Sequence, residues 1–326
     1  MLDVVFAGSP ECAVPSLEAV ARAHRIVAVL TNQPAPAGRS GTPVPTPVHQ
    51  AAERLKAEGI IPADSPILTP IKLNDEVRAA IASRDPDILA CFAYGKIFGP
   101  KTLALFPLGA LNLHPSLLPR WRGCAPVPAA ILARDAETGI TVQKMALEMD
   151  SGDILIQEKM PLDGTETADG LLARAAVEGA PLLVRALDMT ESGTAHGTPQ
   201  DSGTATYCSM LRKEDGEIRW TDSAEDIDAR IRAFTAWPGA FTQAGENILL
   251  ILKAHPYQGE APVDPVPGKV IGIDKKEGIL VQTGKGALAV ERLQWRSKKP
   301  LDWKSFLNGT REFTGSTLGR DGIERP

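Results

Sequence analysis

Short apolar runs alternate with helical segments from the first residues onward, and this alternation restricts the fold more than any other feature. The chain opens with an apolar run at Leu2–Ala7, a helical segment near Ala13–Ala23 and a second apolar run at Arg25–Thr31. A strand–helix–strand opening of this kind is typical of a doubly wound sheet whose strands are mostly parallel. The predicted fold class of this part is therefore α/β and Rossmann-like.

The same alternation continues to a strand that ends near residue 113. Further strands are predicted at 67–68, 87–93 and 109–113, and further helices at 48–58 and 74–83. The second of these helices has Asn74 as its predicted N-cap, with Asp75 and Glu76 in the first turn, where the helix dipole favours negative charge. The pattern thus extends the parallel sheet through the first third of the chain.

A chain of 326 residues is longer than one hydrophobic core usually covers, so two domains are expected. Residues 1–190 are predicted to form the α/β domain. Residues 191–206 are rich in Gly, Ser, Thr and Pro and are predicted to be a linker. In residues 207–326 a helix precedes five short strands, which is typical of a smaller OB-like β-barrel.

Composition excludes several classes of protein. Apolar residues make up 43% and charged residues 23%, as in ordinary soluble proteins, and no apolar run is long enough to span a membrane. The net charge of −5 argues against bulk binding of nucleic acid. The four cysteines are widely spaced, so we expect free thiols and no metal site. The N-terminus lacks the features of a signal peptide, and together with the free thiols this predicts a cytoplasmic protein.

Two polar side chains stand at the exit of the strand at 109–113. Asn112 and His114 alternate along the chain, so both leave the strand on the same face. Pro115 and Pro119 then prevent any continuation of the strand and predict a rigid loop. An amide can donate a hydrogen bond to a developing oxyanion, and an imidazole can move a proton near neutral pH. The pair is therefore a candidate catalytic site.

The residues around this pair resemble the signature of the folate-dependent formyltransferases. Asn112-x-His114 is followed by a Ser-Leu-Leu-Pro run and then by Arg122-Gly123, and Asp150 matches the third catalytic position of that family. The resemblance implies a reaction in which 10-formyltetrahydrofolate donates its formyl group to an amine, without a metal. In that reaction Asn112 would stabilise the oxyanion, and Asp150 would orient His114 or relay a proton. His114 would act as the base or as a second oxyanion donor.

The same resemblance implies a folate-binding site beside the catalytic residues. It would be lined by six residues, namely Tyr94, Gly95, Ser116, Leu117, Leu118 and Pro119.

Among the folate-dependent formyltransferases, the second half of the chain resembles those that act on methionyl-tRNA. The resemblance lies in the segments 213–220 and 231–239. It implies initiator methionyl-tRNA as the acceptor, and we expect the protein to act as a monomer. It further implies that Arg39, in a Pro-rich loop, contacts the tRNA. Two alternatives remain: a formyltransferase that acts on an amino-sugar nucleotide, and a non-enzymatic module that binds RNA and a pterin.

Overall fold

A seven-stranded sheet forms the centre of the first of two structural units. The computed structural model describes residues 1–36, 41–235, 237–261, 264–310 and 312–319. The first unit comprises residues 1–126, 137–161 and 172–208. Its strands are β1 (Asp3–Ala7), β2 (Arg25–Leu30), β3 (Ala35–Pro36), β4 (Pro43–Val44), β5 (Ile67–Leu68), β6 (Ile88–Cys91), β7 (Ala110–His114), β8 (Arg122–Gly123), β9 (Glu137–Lys144), β10 (Ile154–Pro161) and β11 (Tyr207–Cys208).

The order of the large sheet is β10-β9-β7-β6-β1-β2-β5. All pairings from β7 to β5 are parallel, and β9 and β10 add two antiparallel strands at one edge. The central strands are almost continuously apolar and buried, as expected for strands covered on both faces. The predicted Rossmann-like, mostly parallel sheet is therefore confirmed.

The described residues up to 191 contain six α-helices, of which α5 and α6 lie partly in the second unit: α1 (Val14–Ala23), α2 (Pro47–Ala57), α3 (Asp75–Ala82), α4 (Pro100–Leu103), α5 (Pro126–Leu132) and α6 (Ala168–Glu191). The side chain of Asn74 accepts a hydrogen bond from Val77 N, which confirms the predicted N-cap of α3. A Cβ atom at Gly179 would lie 2.9 Å from a methyl group of Leu113, so glycine lets α6 approach strand β7 closely. This contact supports the strand that carries Asn112 and His114, the candidate catalytic pair.

An antiparallel sheet forms the core of the second unit, which comprises residues 127–136, 162–171 and 209–326. Helix α7 (Ala224–Ala233) precedes the strands β12 (Phe241–Ala244), β13 (Asn247–Pro256), β14 (Val270–Asp274), β15 (Gly278–Gln282), β16 (Ala287–Trp295) and β17 (Leu301–Asp302), and helix α8 (Trp303–Asn308) follows them. The strand order is β12-β13-β16-β15-β14, and β17 pairs with β16.

The five predicted strands of the smaller domain are confirmed, whereas a closed barrel is not found among the described strands. Strands β12 and β14 are short and do not pair with each other. Residues 317 and 318 instead form isolated bridges, one with Lys269 beside β14 and one with Ala244 of β12. The domain limits at 190 and 207 stay a prediction. No helix in the described part of the chain is long and apolar enough to cross a membrane.

Replacement of Leu249 tests the described packing of the second unit's core. Its side chain is fully buried on β13, so Leu249→Ala should lower the free energy of unfolding by about 2–5 kcal/mol, through lost burial and the cavity left behind. Leu301, which is 39% exposed on β17, is the matched control, and Leu301→Ala should cost less than about 1 kcal/mol. Urea denaturation followed by tryptophan fluorescence measures both; equal losses would contradict the packing described here.

Candidate active site

The carboxyl end of β7 places Asn112 and His114 at the edge of the parallel sheet. Strand β7 lies between β6 and β9, and the carboxyl ends of parallel strands are where α/β proteins bind their ligands. The side chain of Asn112 is half-buried and that of His114 is buried. Both predicted residues therefore stand in a partly dry environment at the expected end of the sheet.

Asp150 reaches this strand end from the turn between β9 and β10. Its backbone has a φ of +54°, in the left-handed region where Asp and Asn are tolerated better than most residues. Gly152 is needed in the same turn, because a Cβ atom there would lie 1.8 Å from the carbonyl oxygen of Lys144. The turn is thus held against the end of β9, and its shape directs the carboxylate inward.

The three predicted catalytic side chains meet in space. Asn112 Nδ2 lies 3.4 Å from Asp150 Oδ1, and His114 Nδ1 lies 3.7 Å from the same oxygen. His114 Nε2 lies 2.9 Å from the carbonyl oxygen of Trp121. Because a carbonyl can only accept, Nε2 carries a hydrogen and donates it. In the neutral ring, Nδ1 therefore keeps its lone pair and faces the carboxylate.

Two further donors complete the surroundings of the Asp150 carboxylate. Gln143 Nε2 donates to Oδ1 at 2.9 Å, and the backbone N–H of Gly123 donates to Oδ2 at 2.9 Å. Gly123 has a φ of +112°, and a Cβ atom there would lie 2.2 Å from the carbonyl oxygen of Cys208 on β11. Glycine at 123 is therefore required for the parallel pairing of β8 with β11, which presents this N–H.

A residue of the predicted linker also contributes to the site. Gln200 Nε2 donates to the carbonyl oxygens of Asp150 at 2.8 Å and Gly152 at 2.7 Å, and lies 3.2 Å from Gln143 Oε1. Arg122 Nε donates to Gln200 Oε1 at 3.0 Å, and Arg122 Nη1 donates to the hydroxyl of Tyr207 at 3.1 Å. The segment before β11 therefore fixes the turn that carries Asp150.

Two thiols lie in the electrostatic field of the Asp150 carboxylate. Burial raises the pKa of Cys91, on β6, to about 12, and the negative charge of Asp150 adds to the shift. Burial likewise raises the pKa of Cys208, on β11, to about 11, again with a contribution from Asp150. Both effects oppose a second negative charge in the site, so these thiols stay protonated at neutral pH.

The six residues predicted to bind folate differ in exposure. Tyr94, Ser116 and Leu118 are buried. Leu117 and Pro119 are half-buried and Gly95 is exposed. Ser116 Oγ donates to the carbonyl oxygen of Arg120 at 2.6 Å, which folds the loop after β7 back on itself. The folate assignments stay predictions, as does Arg39, which lies outside the described residues.

Sequence reasoning missed Gln143, Gln200 and Arg122 as members of the site. Gln143 could have been noticed as a polar residue next to a run of apolar ones in the segment that forms β9. Gln200 lies in a segment whose composition indicates only a connection, so nothing in the sequence marked it.

Away from the site, ligand atoms of His24, Asp188 and Glu191 lie within 4.8 Å of one another, although the residues are far apart in sequence. The N-terminal amine already pairs with Glu191 there.

Comparisons with known proteins identify the family. The family model described as formyl transferase matches residues 3–187, and the model of the formyl transferase C-terminal domain matches residues 210–311. The chain belongs to the formyl transferase family. It is 50% identical over 315 residues to the methionyl-tRNA formyltransferase of Treponema denticola, which covers 96% of this chain and 98% of that relative. The resemblance noted in the sequence is thus confirmed.

Two solved structures share the fold at low identity. The N-formyltransferase of Helicobacter canadensis, in complex with folinic acid and dTDP-3-aminofucose, has a TM-score of 0.64 and 18% identity, covering 89% of this chain and 99% of that chain. HypX of Aquifex aeolicus in complex with tetrahydrofolic acid has a TM-score of 0.60 and 16% identity. The alignment covers all of this chain but only 50% of HypX, so this chain spans half the length of that protein.

The four cysteines should differ sharply in reactivity. Only the thiolate reacts with a disulfide reagent, and burial raises the pKa of Cys91 to about 12 and those of Cys12 and Cys208 to about 11. Cys124 is the exposed thiol. At pH 8 the native protein should therefore show one fast-reacting thiol by the absorbance of released thionitrobenzoate, and Cys124→Ser should remove that phase. Fast modification of Cys91 would contradict the burial described here.

Proposed function

We propose that this protein transfers the formyl group of 10-formyltetrahydrofolate to the α-amino group of methionyl initiator tRNA and so supports the initiation of translation. The observation that carries the proposal is the 50% identity to the Treponema methionyl-tRNA formyltransferase over 96% of this chain. The meeting of an amide, an imidazole and a carboxylate at one strand end supports the same chemistry.

The reaction begins when the neutral amine attacks the formyl carbon. An α-amino group has a pKa of about 7.7–8.0, so a useful fraction is neutral at cellular pH and a weak base is sufficient. Asn112 donates only a long hydrogen bond to Asp150 at 3.4 Å, so its amide can also donate to the formyl oxygen as negative charge develops there. This donor stabilises the tetrahedral intermediate.

His114 removes the proton that the attacking nitrogen must lose. Its Nε2 is engaged with the carbonyl oxygen of Trp121, which leaves Nδ1 as the atom that accepts a proton. Asp150 Oδ1, 3.7 Å away, stabilises the imidazolium that results. When the bond between the formyl carbon and the folate nitrogen breaks, the same proton can pass to the departing nitrogen. The geometry therefore favours the base role of His114 over that of a second oxyanion donor.

Recognition of the tRNA is assigned to other parts of the chain. We assign Arg39 to the tRNA and the C-terminal domain, residues 207–326, to RNA binding. That domain carries 18 basic and 17 acidic residues by count of the sequence, so it is close to neutral. Contacts to phosphate would make the affinity fall with rising salt concentration. The donor site, the tRNA contacts and action as a monomer all belong to this proposal.

A comparison of two acceptors tests the proposal directly. The purified protein is incubated with 10-formyltetrahydrofolate and either charged initiator tRNA or an amino-sugar nucleotide such as dTDP-3-aminofucose. We expect rapid formylation of the methionyl-tRNA and no formylation of the sugar above background. The reverse result would favour the amino-sugar alternative, which the Helicobacter structure supports only through its fold. Binding of RNA and folate without turnover would favour the non-enzymatic module.

Substitution of each catalytic side chain should reduce turnover without loss of the fold. Asn112→Ala removes the oxyanion donor and should lower kcat by about 10²–10³. His114→Ala and Asp150→Asn should each lower it by at least about 10². Asparagine is chosen at 150 because alanine would be strained at the φ of +54°.

The control for these variants is His196→Ala. His196 is an exposed histidine of the predicted linker, and turnover should change less than about twofold. Circular dichroism checks the fold of each protein, and single-turnover formylation measures the rate. Near-normal formylation by any one of the three site variants would remove that residue from the mechanism.

A further inference from the structure

A continuous series of hydrogen bonds connects Arg122 to Asp150. Arg122 Nε donates to Gln200 Oε1 at 3.0 Å, Gln200 Nε2 lies 3.2 Å from Gln143 Oε1, and Gln143 Nε2 donates to Asp150 Oδ1 at 2.9 Å. Arg122 and Gln143 are each 1% exposed. Three residues outside the catalytic set are therefore linked to its carboxylate in a largely dry environment.

The orientation of the Gln200 amide is determined at both of its ends. A guanidinium can only donate hydrogen bonds, so Oε1 must face Arg122. The carbonyl oxygens of Asp150 and Gly152 can only accept, so Nε2 must face them, at 2.8 and 2.7 Å. A flipped amide would meet donors with donors and acceptors with acceptors. The two constraints agree and leave a single orientation.

This orientation determines the orientation of the next amide. Both hydrogens of Gln200 Nε2 point to these two carbonyl oxygens, and the nitrogen also lies 3.2 Å from Gln143 Oε1. The opposite orientation of Gln143 would bring two NH₂ groups together, so Gln143 keeps its Oε1 toward Gln200 and its Nε2 toward Asp150 Oδ1. An N–H donor is stabilised by an acceptor opposite it. An ionised carboxylate offers only acceptors, whereas a protonated carboxyl group also carries an O–H donor. The donor-only character of Arg122 is thereby transmitted to Asp150 through two amides.

We propose that Arg122, Gln200 and Gln143 are positioning residues that hold the Asp150 carboxylate with Oδ1 facing His114. The proposal rests on the proposed function, since it assigns Asp150 its part in the formyl transfer. Gln143 acts directly on the carboxylate, Gln200 sets the orientation of Gln143 and holds the turn, and Arg122 sets the orientation of Gln200.

The charged and titratable groups around Asp150 agree with this role. His114 faces it from β7, Cys91 from β6 and Cys208 from β11, and both thiols remain protonated at neutral pH. Arg122 on β8 forms no ion pair with a described residue, and its Nη2 is buried without a hydrogen-bond partner among the described residues. Its other nitrogens are engaged with Gln200 and Tyr207, so the guanidinium is available to orient the Gln200 amide.

Two variants of Gln200 separate orientation from simple packing. Gln200→Glu keeps an acceptor for Arg122 but turns a second acceptor toward Gln143 Oε1, which favours a flipped Gln143 that presents Oε1 to Asp150. It also loses the two hydrogen bonds to the carbonyl oxygens of Asp150 and Gly152, and Gln200→Met loses the same two bonds. Gln200→Met has a similar size and breaks the series without reversing it. We expect Gln200→Glu to move the acidic limb of the single-turnover rate to higher pH by about one unit, because an acceptor opposite Oδ1 favours the protonated carboxyl.

The rates should change in kcat rather than in substrate binding. Both variants should lower the single-turnover rate at neutral pH by about 10–100-fold, the range typical of residues that orient a catalytic group, and leave the KM for the formyl donor within about threefold. The control is Arg174→Met on helix α6, an exposed residue whose guanidinium donates to Glu178 at 2.8 Å. Its pH profile should match that of the unsubstituted protein.

A second readout does not depend on turnover. The protein is labelled with ¹³C at the aspartate carboxyl carbons, and Asp150→Asn assigns the resonance of Asp150. At neutral pH the Asp150 resonance of the unsubstituted protein should have the chemical shift of a carboxylate. In Gln200→Glu the change to the chemical shift of a protonated carboxyl should occur at a higher pH than in the unsubstituted protein. These two results would support the proposal even if another acceptor proves to be the substrate. Identical titration and superimposable pH profiles in the two proteins would overturn it.

Gln143→Glu provides an alternative test of the proposal if the Gln200 variants do not fold. It has almost the same shape and places a second carboxylate 2.9 Å from Asp150 Oδ1, so the two groups should share a proton near neutral pH. An unchanged aspartate resonance in folded Gln143→Glu would equally overturn the proposal.

Discussion

A carboxylate can only accept hydrogen bonds, and the candidate site is arranged around that property of Asp150. Its two oxygens receive donors from Gln143 and from the backbone of Gly123, with Asn112 at a longer distance. Each of these groups donates a hydrogen bond, so together they determine the direction in which the carboxylate faces. The strands and turns near the site can be understood as the means by which donors from distant parts of the chain reach one side chain.

Two different kinds of structure position the donors and the candidate catalytic pair, Asn112 and His114. Regular sheet structure positions Asn112 and His114, because β7 is buried between two neighbouring strands. The carboxylate depends instead on local exceptions: a left-handed backbone at Asp150, and a glycine at 123 that alone permits the approach of β11. Such positions are costly in isolation and persist only where surrounding contacts determine them.

The fold was largely predictable because apolar periodicity and helix caps are local signals. The strand carrying Asn112 and His114 and the cap at Asn74 could be located from a few neighbouring residues. The hydrogen bonds of Gln200 could not be predicted, because its partners lie far away in the sequence and its own neighbours are small polar residues.

The open sheet of the second unit was missed for a related reason. The number of strands follows from the sequence pattern, whereas direct pairing between the first and last of them does not.

The pairing of β8 with β11 has a consequence for the order in which the protein matures. All seven strands of the large sheet precede residue 162, so the sheet can assemble on a growing chain before the rest has been synthesised. Gln200 and β11 leave the ribosome later. A nascent chain can therefore have a complete sheet while the aspartate turn still lacks its final supports, and catalytic competence would come after the scaffold during translation.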